Sequence, residues 1–202
     1  MNADELHERA YVPGHQVRLV TVDEFHVMAQ ASVFSDMQPV ELIEGRLYRM
    51  TPTSPRQVGT KIALHRLLSK AFGDRAAVSV NNPLQLGDLT EMRPDVTVLG
   101  PRDDGYRLAF PGAADVLLLI EVSGSGWEFD QDVKVPAYAK HGIPEVWLVG
   151  GPLNDVEVHR LPVDGKYTSV FRAIHGDILA VPGYLGASFR VDEIFEPIRF
   201  GR

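Results

Sequence analysis

Apolar positions follow a helical spacing in three parts of the chain, and each part carries a signal at its start or end. Thr21 is a predicted N-cap for the first helix, with Glu24 three residues later. Gly73 ends the second helix. Pro136 lies inside the third, so its regular part is expected to begin near Lys134. The predicted helices cover about 22–29, 57–72 and 129–141.

Strand-like runs fill the intervals between these helices. The run 116–120 is the most apolar in the chain and is typical of a strand covered on both faces. The third helix joins this strand to the next one, which makes the two strands parallel. The predicted strands are a hairpin over 40–50, strands at about 76–86, 93–99, 115–122 and 144–149, and a hairpin pairing 156–159 with 167–171.

This order of elements predicts a mixed α/β fold, with a central mixed β-sheet flanked by helices and extended by β-hairpins. A chain of 202 residues is long enough for one substantial core. We therefore expect a single domain over 18–202, preceded by a loose leader over 1–17.

Composition excludes several classes of protein. The sequence contains no cysteine, which rules out disulfides, thiolate nucleophiles and zinc-thiolate sites. No run is long enough for a membrane span, and the first residues lack the apolar core of a signal peptide, so a cytoplasmic protein is expected. The net charge of -7 weighs against a general nucleic-acid coat protein. It is compatible with an enzyme that acts on nucleic acid.

Two carboxylates lie at comparable depths on two apolar strands. Asp95 follows Pro94 and precedes an apolar alternation, and Glu121 ends the most apolar strand. Taken singly, an aspartate after proline is usually a turn or strand-start residue, and a glutamate that ends a strand is often exposed to solvent. At the ends of adjacent covered strands, however, two carboxylates could hold one divalent cation between them.

An ordered series of motifs resembles the Uma-two endonuclease family, a bacterial family within the restriction-endonuclease-like PD-(D/E)xK nuclease superfamily. The series consists of ELIEG, an SP turn that opens a helix, RPDV, IEVSGS, D-x-x-x-K and YAKHGIPEVWLV. It extends from about Val20 to Phe195. No single motif is specific, but the order and spacing together are. The resemblance implies a restriction-endonuclease-like core.

The resemblance also implies a set of metal ligands. Asp95 matches the aspartate of the "PD" element, and Glu121 matches the acidic member of (D/E)xK. The backbone carbonyl of Val122 would join them. The lysine expected two residues after Glu121 is replaced by Ser123, which is then a candidate site-lining hydroxyl. Lys134, at the helical position where the family has a lysine, is the candidate replacement.

Further candidates surround this core set. Glu41 matches the glutamate of the family's first hairpin and is a candidate third acidic ligand. Asp130 lies four residues before Lys134, so the two share a helix face if the third helix extends that far. Gln57 stands where many family members have histidine. Arg93 is expected to share a strand face with Asp95, where it could neutralise the site, contact phosphate or form an exposed ion pair.

The hypothesis is a metal-dependent endonuclease that hydrolyses DNA phosphodiester bonds at Glu41, Asp95, Glu121 and Lys134 with Mg²⁺ or Mn²⁺. Paired active sites in a homodimer would allow both strands of a duplex to be cut. The alternative is a catalytically inactive nuclease-fold module that binds DNA or a protein partner. The missing strand lysine and the acidic net charge keep that alternative open. A glycosidase with two carboxylates is disfavoured, because no aromatic-lined sugar cleft is evident.

Overall fold

The computed structural model describes residues 17–34, 39–151, 154–181, 184 and 186–196. Of the leader expected over 1–17, all but the last residue lies outside the described residues. The helices are α1 Val22–Gln30, α2 Pro55–Phe72, α3 Trp127–Phe129, α4 Val135–Lys140 and α5 Val191–Phe195, with a π-helical turn Asp130–Lys134 joining α3 to α4.

The strands form three sheets. In chain order they are β1 Val40–Ile43, β2 Arg46–Arg49, β3 Ala77–Val80, β4 Leu84–Gly87, β5 Thr90–Met92, β6 Val96–Leu99, β7 Val116–Val122, β8 Glu145–Val149, β9 Val156–Val163, β10 Lys166–Ala173, β11 Ile178–Ala180 and β12 Ser188–Arg190. The large sheet has the order β10-β9-β8-β7-β6-β3, the second has β2-β1-β5-β4, and β11 pairs with β12. Strands β7 and β8 are parallel and the other pairs are antiparallel. The mixed α/β fold predicted from the sequence is confirmed.

Local capping explains why the first two helices begin where they do. Thr21 and Glu24 form the predicted capping box of α1. Ser54 and Gln57 form a second capping box at α2, and Pro55 occupies the first turn, where its missing N–H costs nothing. In α4 the proline also lies in the first turn, directly after the π-helical turn.

Two predicted strands have different boundaries in the structure. The strand expected over 76–86 is divided into β3 and β4, which belong to different sheets. The division falls at Asn81, whose φ of 52° lies in the left-handed region and cannot continue a strand. The strand expected over 93–99 begins only at Val96, and the chain before it crosses from β5 in one sheet to β6 in the other. Strands β5, β11 and β12 were not predicted.

Helices and the smaller sheets cover both faces of the large sheet. On one face, Leu64, Leu68 and Phe72 of α2 pack with Val96 and Ile120. On the other, the cluster contains Leu119 of β7, Tyr138 of α4 and residues of the four-stranded sheet. The two faces therefore meet different elements, and α2 and the 127–140 segment approach β6 and β7 from opposite sides. None of the helices in the described ranges is long and apolar enough to cross a membrane.

Candidate active site

Four separate elements bring the predicted catalytic residues to one cavity. The cavity has a volume of about 590 Å³ and is lined by Glu41 from β1, Asp95 from the connection before β6, Glu121 from β7 and Lys134 from the π-helical turn. Strand register explains part of this convergence. Val96 pairs with Ile120 in the antiparallel β6–β7 ladder, so Asp95 and Glu121 are the next opposed positions.

Lys134 links two buried carboxylates. Its Nζ donates to Glu41 Oε1 at 3.3 Å and to Glu121 Oε1 at 3.1 Å. The hydroxyl of Tyr138, one helical turn further along, donates to the same Glu121 oxygen at 2.5 Å. All four residues are almost fully buried. Charges in such places are tolerated only when they are paired and hydrogen-bonded, as these are.

Asp95 is held by contacts from three directions. Its Oδ2 accepts the backbone N–H of Val122 at 2.7 Å, and its Oδ1 accepts Lys61 Nζ at 2.8 Å. Its backbone carbonyl accepts the N–H of Asn81 at 3.2 Å. The side chain of Asp95 is 18% exposed, against 3% for Glu121 and 2% for Glu41. Asp95 is therefore the most accessible of the three carboxylates.

Burial dominates the electrostatics of Glu121, the next-to-last residue of β7. Removal from water raises the pKa of Glu121 to about 8, and the nearby negative charges of Asp95, Asp130 and Glu41 act in the same direction, while Lys134 opposes them. Burial by itself lowers the pKa of Lys134, but the charges of Glu121, Glu41 and Asp130 outweigh burial and raise it. The ammonium therefore stays protonated at neutral pH, while Glu121 is close to its own titration point.

Asp130 and Ser123 form a supporting pair beside Lys134. The Ser123 hydroxyl donates to Asp130 Oδ2 at 2.5 Å, and Asp130 Oδ1 lies 3.9 Å from Lys134 Nζ. Burial raises the pKa of Asp130, and Lys134 partly offsets this effect. The predicted i, i+4 proximity of Asp130 and Lys134 is confirmed. Ser123 itself is not among the residues that line the cavity, contrary to the expectation, and its hydroxyl instead contacts the lining carboxylate of Asp130.

Gln57 and Arg93 also line the cavity. Gln57 Nε2 donates to the carbonyl of Val122 at 2.9 Å, and Gln57 Oε1 accepts the N–H of Ser54 at 2.8 Å. The backbone N–H of Arg93 donates to Glu41 Oε1 at 2.9 Å, and its exposed side chain lines the cavity. The prediction that Arg93 shares a strand face with Asp95 is wrong, because both residues precede β6.

Sequence reasoning missed two side chains that contact the carboxylates, Lys61 and Tyr138. Each carried a signal. Lys61 lies four residues after Gln57 and three before Leu64, so it falls on the face of α2 that packs against the sheet. A lysine within such an apolar face requires a partner. Tyr138 lies four residues after Lys134, on the same side of the helical segment.

The donor atoms around the cavity are those that a hard divalent cation prefers. They are carboxylate oxygens and the backbone carbonyl of Val122. Glu41 Oε2 is buried and accepts no hydrogen bond, although it lies 3.1 Å from Lys134 Nζ. Within the described ranges, no group of three or more Asp, Glu or His side chains is arranged to hold a metal ion. The ammonium groups of Lys61 and Lys134 contact the carboxylates instead. The types of donor atom therefore fit a divalent cation, but in this structure the carboxylates are paired with lysine.

Comparison with known proteins places the chain in a family. No curated protein matches the chain. A crystal structure described as a "putative nuclease belonging to DUF820" from Anabaena variabilis is similar in fold, with a TM-score of 0.69 and 17% sequence identity over 87% of this chain and 97% of that one. The family model described as "Uma2: Putative restriction endonuclease" matches residues 22–192. The resemblance inferred from the motifs is thereby confirmed, and the chain belongs to the Uma2 family.

Proposed function

We propose that this protein is a metal-dependent endonuclease that hydrolyses phosphodiester bonds in DNA. The observation that carries the proposal is the convergence of Glu41, Asp95, Glu121 and Lys134, from four elements of the fold, on one cavity. Residues 22–192 match the family model described as "Putative restriction endonuclease", which supports this substrate class. The fold alone does not specify an activity, so the proposal depends on the site.

Asp95, Glu121 and the carbonyl of Val122 would hold a Mg²⁺ or Mn²⁺ ion, with Glu41 as a further ligand. When bound, such an ion polarises the phosphate and lowers the pKa of a water molecule. The contacts made by Lys61 and Lys134 to these carboxylates would then be loosened or shared. Gln57 would keep its hydrogen bond to the carbonyl of Val122, which has a second lone pair available.

The remaining residues of the site position charge around the reacting phosphate. Lys134 holds Glu41 and Glu121 together and offsets the negative charge of the cluster. In the reaction, a water oxygen forms a bond to phosphorus while the bond from phosphorus to the leaving oxygen breaks. The leaving oxygen ends with one proton of that water, and the other proton passes to solvent. Arg93, at the mouth of the cavity, would contact a phosphate of the bound strand.

Cleavage of supercoiled plasmid tests the proposal. The purified protein would be incubated with Mg²⁺, with Mn²⁺ and with EDTA, alongside Asp95→Ala, Glu121→Ala and the exposed control Asp103→Ala. We expect nicked or linear DNA only with metal, unchanged activity in Asp103→Ala and at least a hundredfold loss in the two site variants. Equal cleavage by all variants would assign the activity to a contaminant or to another site.

A second candidate is a nuclease-fold module that binds DNA or a protein partner without catalysis. The observation that favours it is the serine at position 123, where the general motif of the superfamily has lysine. Titration calorimetry with Mn²⁺ separates the two candidates. Absence of binding, or binding that Asp95→Ala leaves unchanged, would favour the non-catalytic module. A homodimer that presents two sites to a duplex stays a prediction, and sedimentation of the protein with and without DNA tests it.

A further inference from the structure

Lys61 is a buried cation that the proposed ligand set leaves without a role. It lies in the second turn of α2 and is only 7% exposed. It lines the same cavity as Glu41, Asp95 and Glu121. Burial of an ammonium group is costly unless specific acceptors compensate it. The contacts of Lys61 therefore indicate why a lysine stands here.

The acceptors of Lys61 come from the ends of two neighbouring strands. Its Nζ donates to Asp95 Oδ1 at 2.8 Å and to Asn81 Oδ1 at 3.3 Å. Asn81 follows β3 in a left-handed conformation with φ of 52°, and its backbone N–H donates to the carbonyl of Asp95. The two acceptors are thus fixed to each other as well as to Lys61. This arrangement places the ammonium group beside the most accessible carboxylate of the cluster.

The two buried lysines of the cavity differ in the acceptors that their ammonium groups contact. Lys134 contacts three carboxylates, those of Glu41, Glu121 and Asp130. Lys61 contacts one carboxylate and one amide oxygen. An ammonium group has three N–H donors. The third donor of Lys61 has no hydrogen-bond acceptor among the residues that the structure describes.

We propose that Lys61 is a catalytic residue that donates to a non-bridging oxygen of the scissile phosphate. The inference rests on the proposed endonuclease function. A divalent cation shared by Asp95 would weaken the hold of that carboxylate on the ammonium group and free a further donor. Lys61 then stabilises the negative charge that builds on the phosphoryl oxygens. Lys134 keeps the carboxylates in place, so the positive charge of the site is divided between two lysines on opposite sides of the cluster.

Salt dependence of DNA binding tests the phosphate contact independently of cleavage. The affinity for a duplex of twenty base pairs would be measured in Ca²⁺ over a series of KCl concentrations, for the wild type, Lys61→Met and Lys70→Met. Lys70 is exposed near the other end of α2 and serves as the charge-matched control. Loss of one phosphate contact reduces the slope of log affinity against log salt by about 0.9. We expect this reduction in Lys61→Met only, and an unchanged slope would overturn the contact.

Chemical rescue guards against a variant that does not fold. The sequence contains no cysteine, so Lys61→Cys can be alkylated at that position alone with 2-bromoethylamine, in the unfolded state before refolding. The alkylated residue carries an amine at nearly the original distance. We expect Lys61→Cys to lose both the slope contribution and at least a hundredfold in single-turnover cleavage with Mg²⁺, and alkylation to restore both. A variant that cleaves within twofold of wild type would contradict the proposal.

The two assays separate failure of this inference from failure of the proposed function. If the wild type cleaves in a metal-dependent manner but Lys61→Met keeps its slope, the endonuclease stands and the role of Lys61 is overturned. If the wild type does not cleave with Mg²⁺ or Mn²⁺, the endonuclease function fails and with it the catalytic role of Lys61. A reduced slope in that case would leave Lys61 as a phosphate contact of a DNA-binding module.

Discussion

The backbone N–H of Val122 donates to Asp95 Oδ2 at 2.7 Å, which ties the connection before β6 to the end of β7. This hydrogen bond fixes one carboxylate oxygen and leaves the other to Lys61. Asp95 is therefore positioned by backbone as well as by side-chain charge. A carboxylate held this way is preorganised for a cation without a change in the sheet.

Asp95→Asn separates the charge of this residue from its shape. Asparagine can still accept the N–H of Val122, so we expect the fold to persist, with a free energy of unfolding lower by about 2 kcal/mol because Lys61 loses its charged partner. Affinity for Mn²⁺ should fall at least tenfold, since one anionic ligand is removed. Titration calorimetry and urea unfolding measure the two effects. Asp103→Asn is the control, and equal metal affinity in both variants would exclude Asp95 as a ligand.

Lys134→Met removes the cation between two buried carboxylates. We expect a loss of about 3 kcal/mol in the free energy of unfolding at pH 8, because the buried side chains of Glu41 and Glu121 lose their charged partner. The loss should shrink toward pH 5, where Glu121 is protonated. Urea unfolding at both pH values measures this. Lys140→Met removes an exposed lysine at the end of α4 and should change stability by less than about 1 kcal/mol.

Metal affinity should depend on pH through Glu121. The folded protein raises the pKa of this group to about 8 from the ordinary 4.5, so the carboxyl binds its proton more tightly when folded. Its contribution to stability is therefore complete below about pH 4.5 and is lost as the pH rises through about 8. A cation competes with this proton, so Mn²⁺ affinity should rise about tenfold per pH unit between pH 6 and 7.5. Calorimetry in buffers of different ionisation enthalpy measures both affinity and proton release. A pH-independent affinity would contradict the assignment, and Glu121→Gln should abolish the dependence.

Tyr138→Phe removes one hydrogen bond from the Glu121 carboxylate. We expect the free energy of unfolding to fall by about 1–2 kcal/mol, and the pKa of Glu121 to rise further, because the lost donor favours the charged form. The matched control is Tyr167→Phe, which loses a hydrogen bond to the carbonyl of Ile143 outside the cavity. The control should lose similar stability without changing the pH at which Mn²⁺ binding becomes tight. If Mn²⁺ affinity has the same pH profile in the two variants, Tyr138 has no effect on the metal site.

The strand pattern predicted that Asp95 and Glu121 lie at comparable depths on two apolar strands, and the helix after β7 predicted that β8 is parallel to it. In the structure Asp95 directly precedes β6, and the register of β6 with β7 brings it opposite Glu121. The family motifs added Glu41 and Lys134, which no local periodicity would bring together. Their contact depends on how the first hairpin and the 127–140 segment pack over the same face of the large sheet. This packing is a tertiary relationship, and the sequence indicated it only through the resemblance to a known family.

Lys61 and Asn81 show what the sequence pattern left out. The apolar residues around 76–86 indicated one continuous strand, but Asn81 takes a left-handed conformation and directs the chain from one sheet into another. Asparagine tolerates that conformation better than most residues, although its identity alone does not require it. Lys61 was not among the residues predicted for the site. Its burial follows from the second turn of α2 lying against two connections, the one after β3 that contains Asn81 and the one before β6 that contains Asp95.

Asp95 and Glu121 are proposed to hold a divalent cation between them. Anomalous scattering from crystals grown or soaked in Mn²⁺ measures this cation at the site itself. We expect an anomalous peak within bonding distance of one oxygen of Asp95, one oxygen of Glu121 and the carbonyl of Val122, with Lys134 still beside Glu41. Crystals of Glu121→Gln should show a weaker peak or none. A wild-type crystal at saturating Mn²⁺ with no peak at this position, or with the same peak in Glu121→Gln, would show that the two carboxylates do not hold the metal.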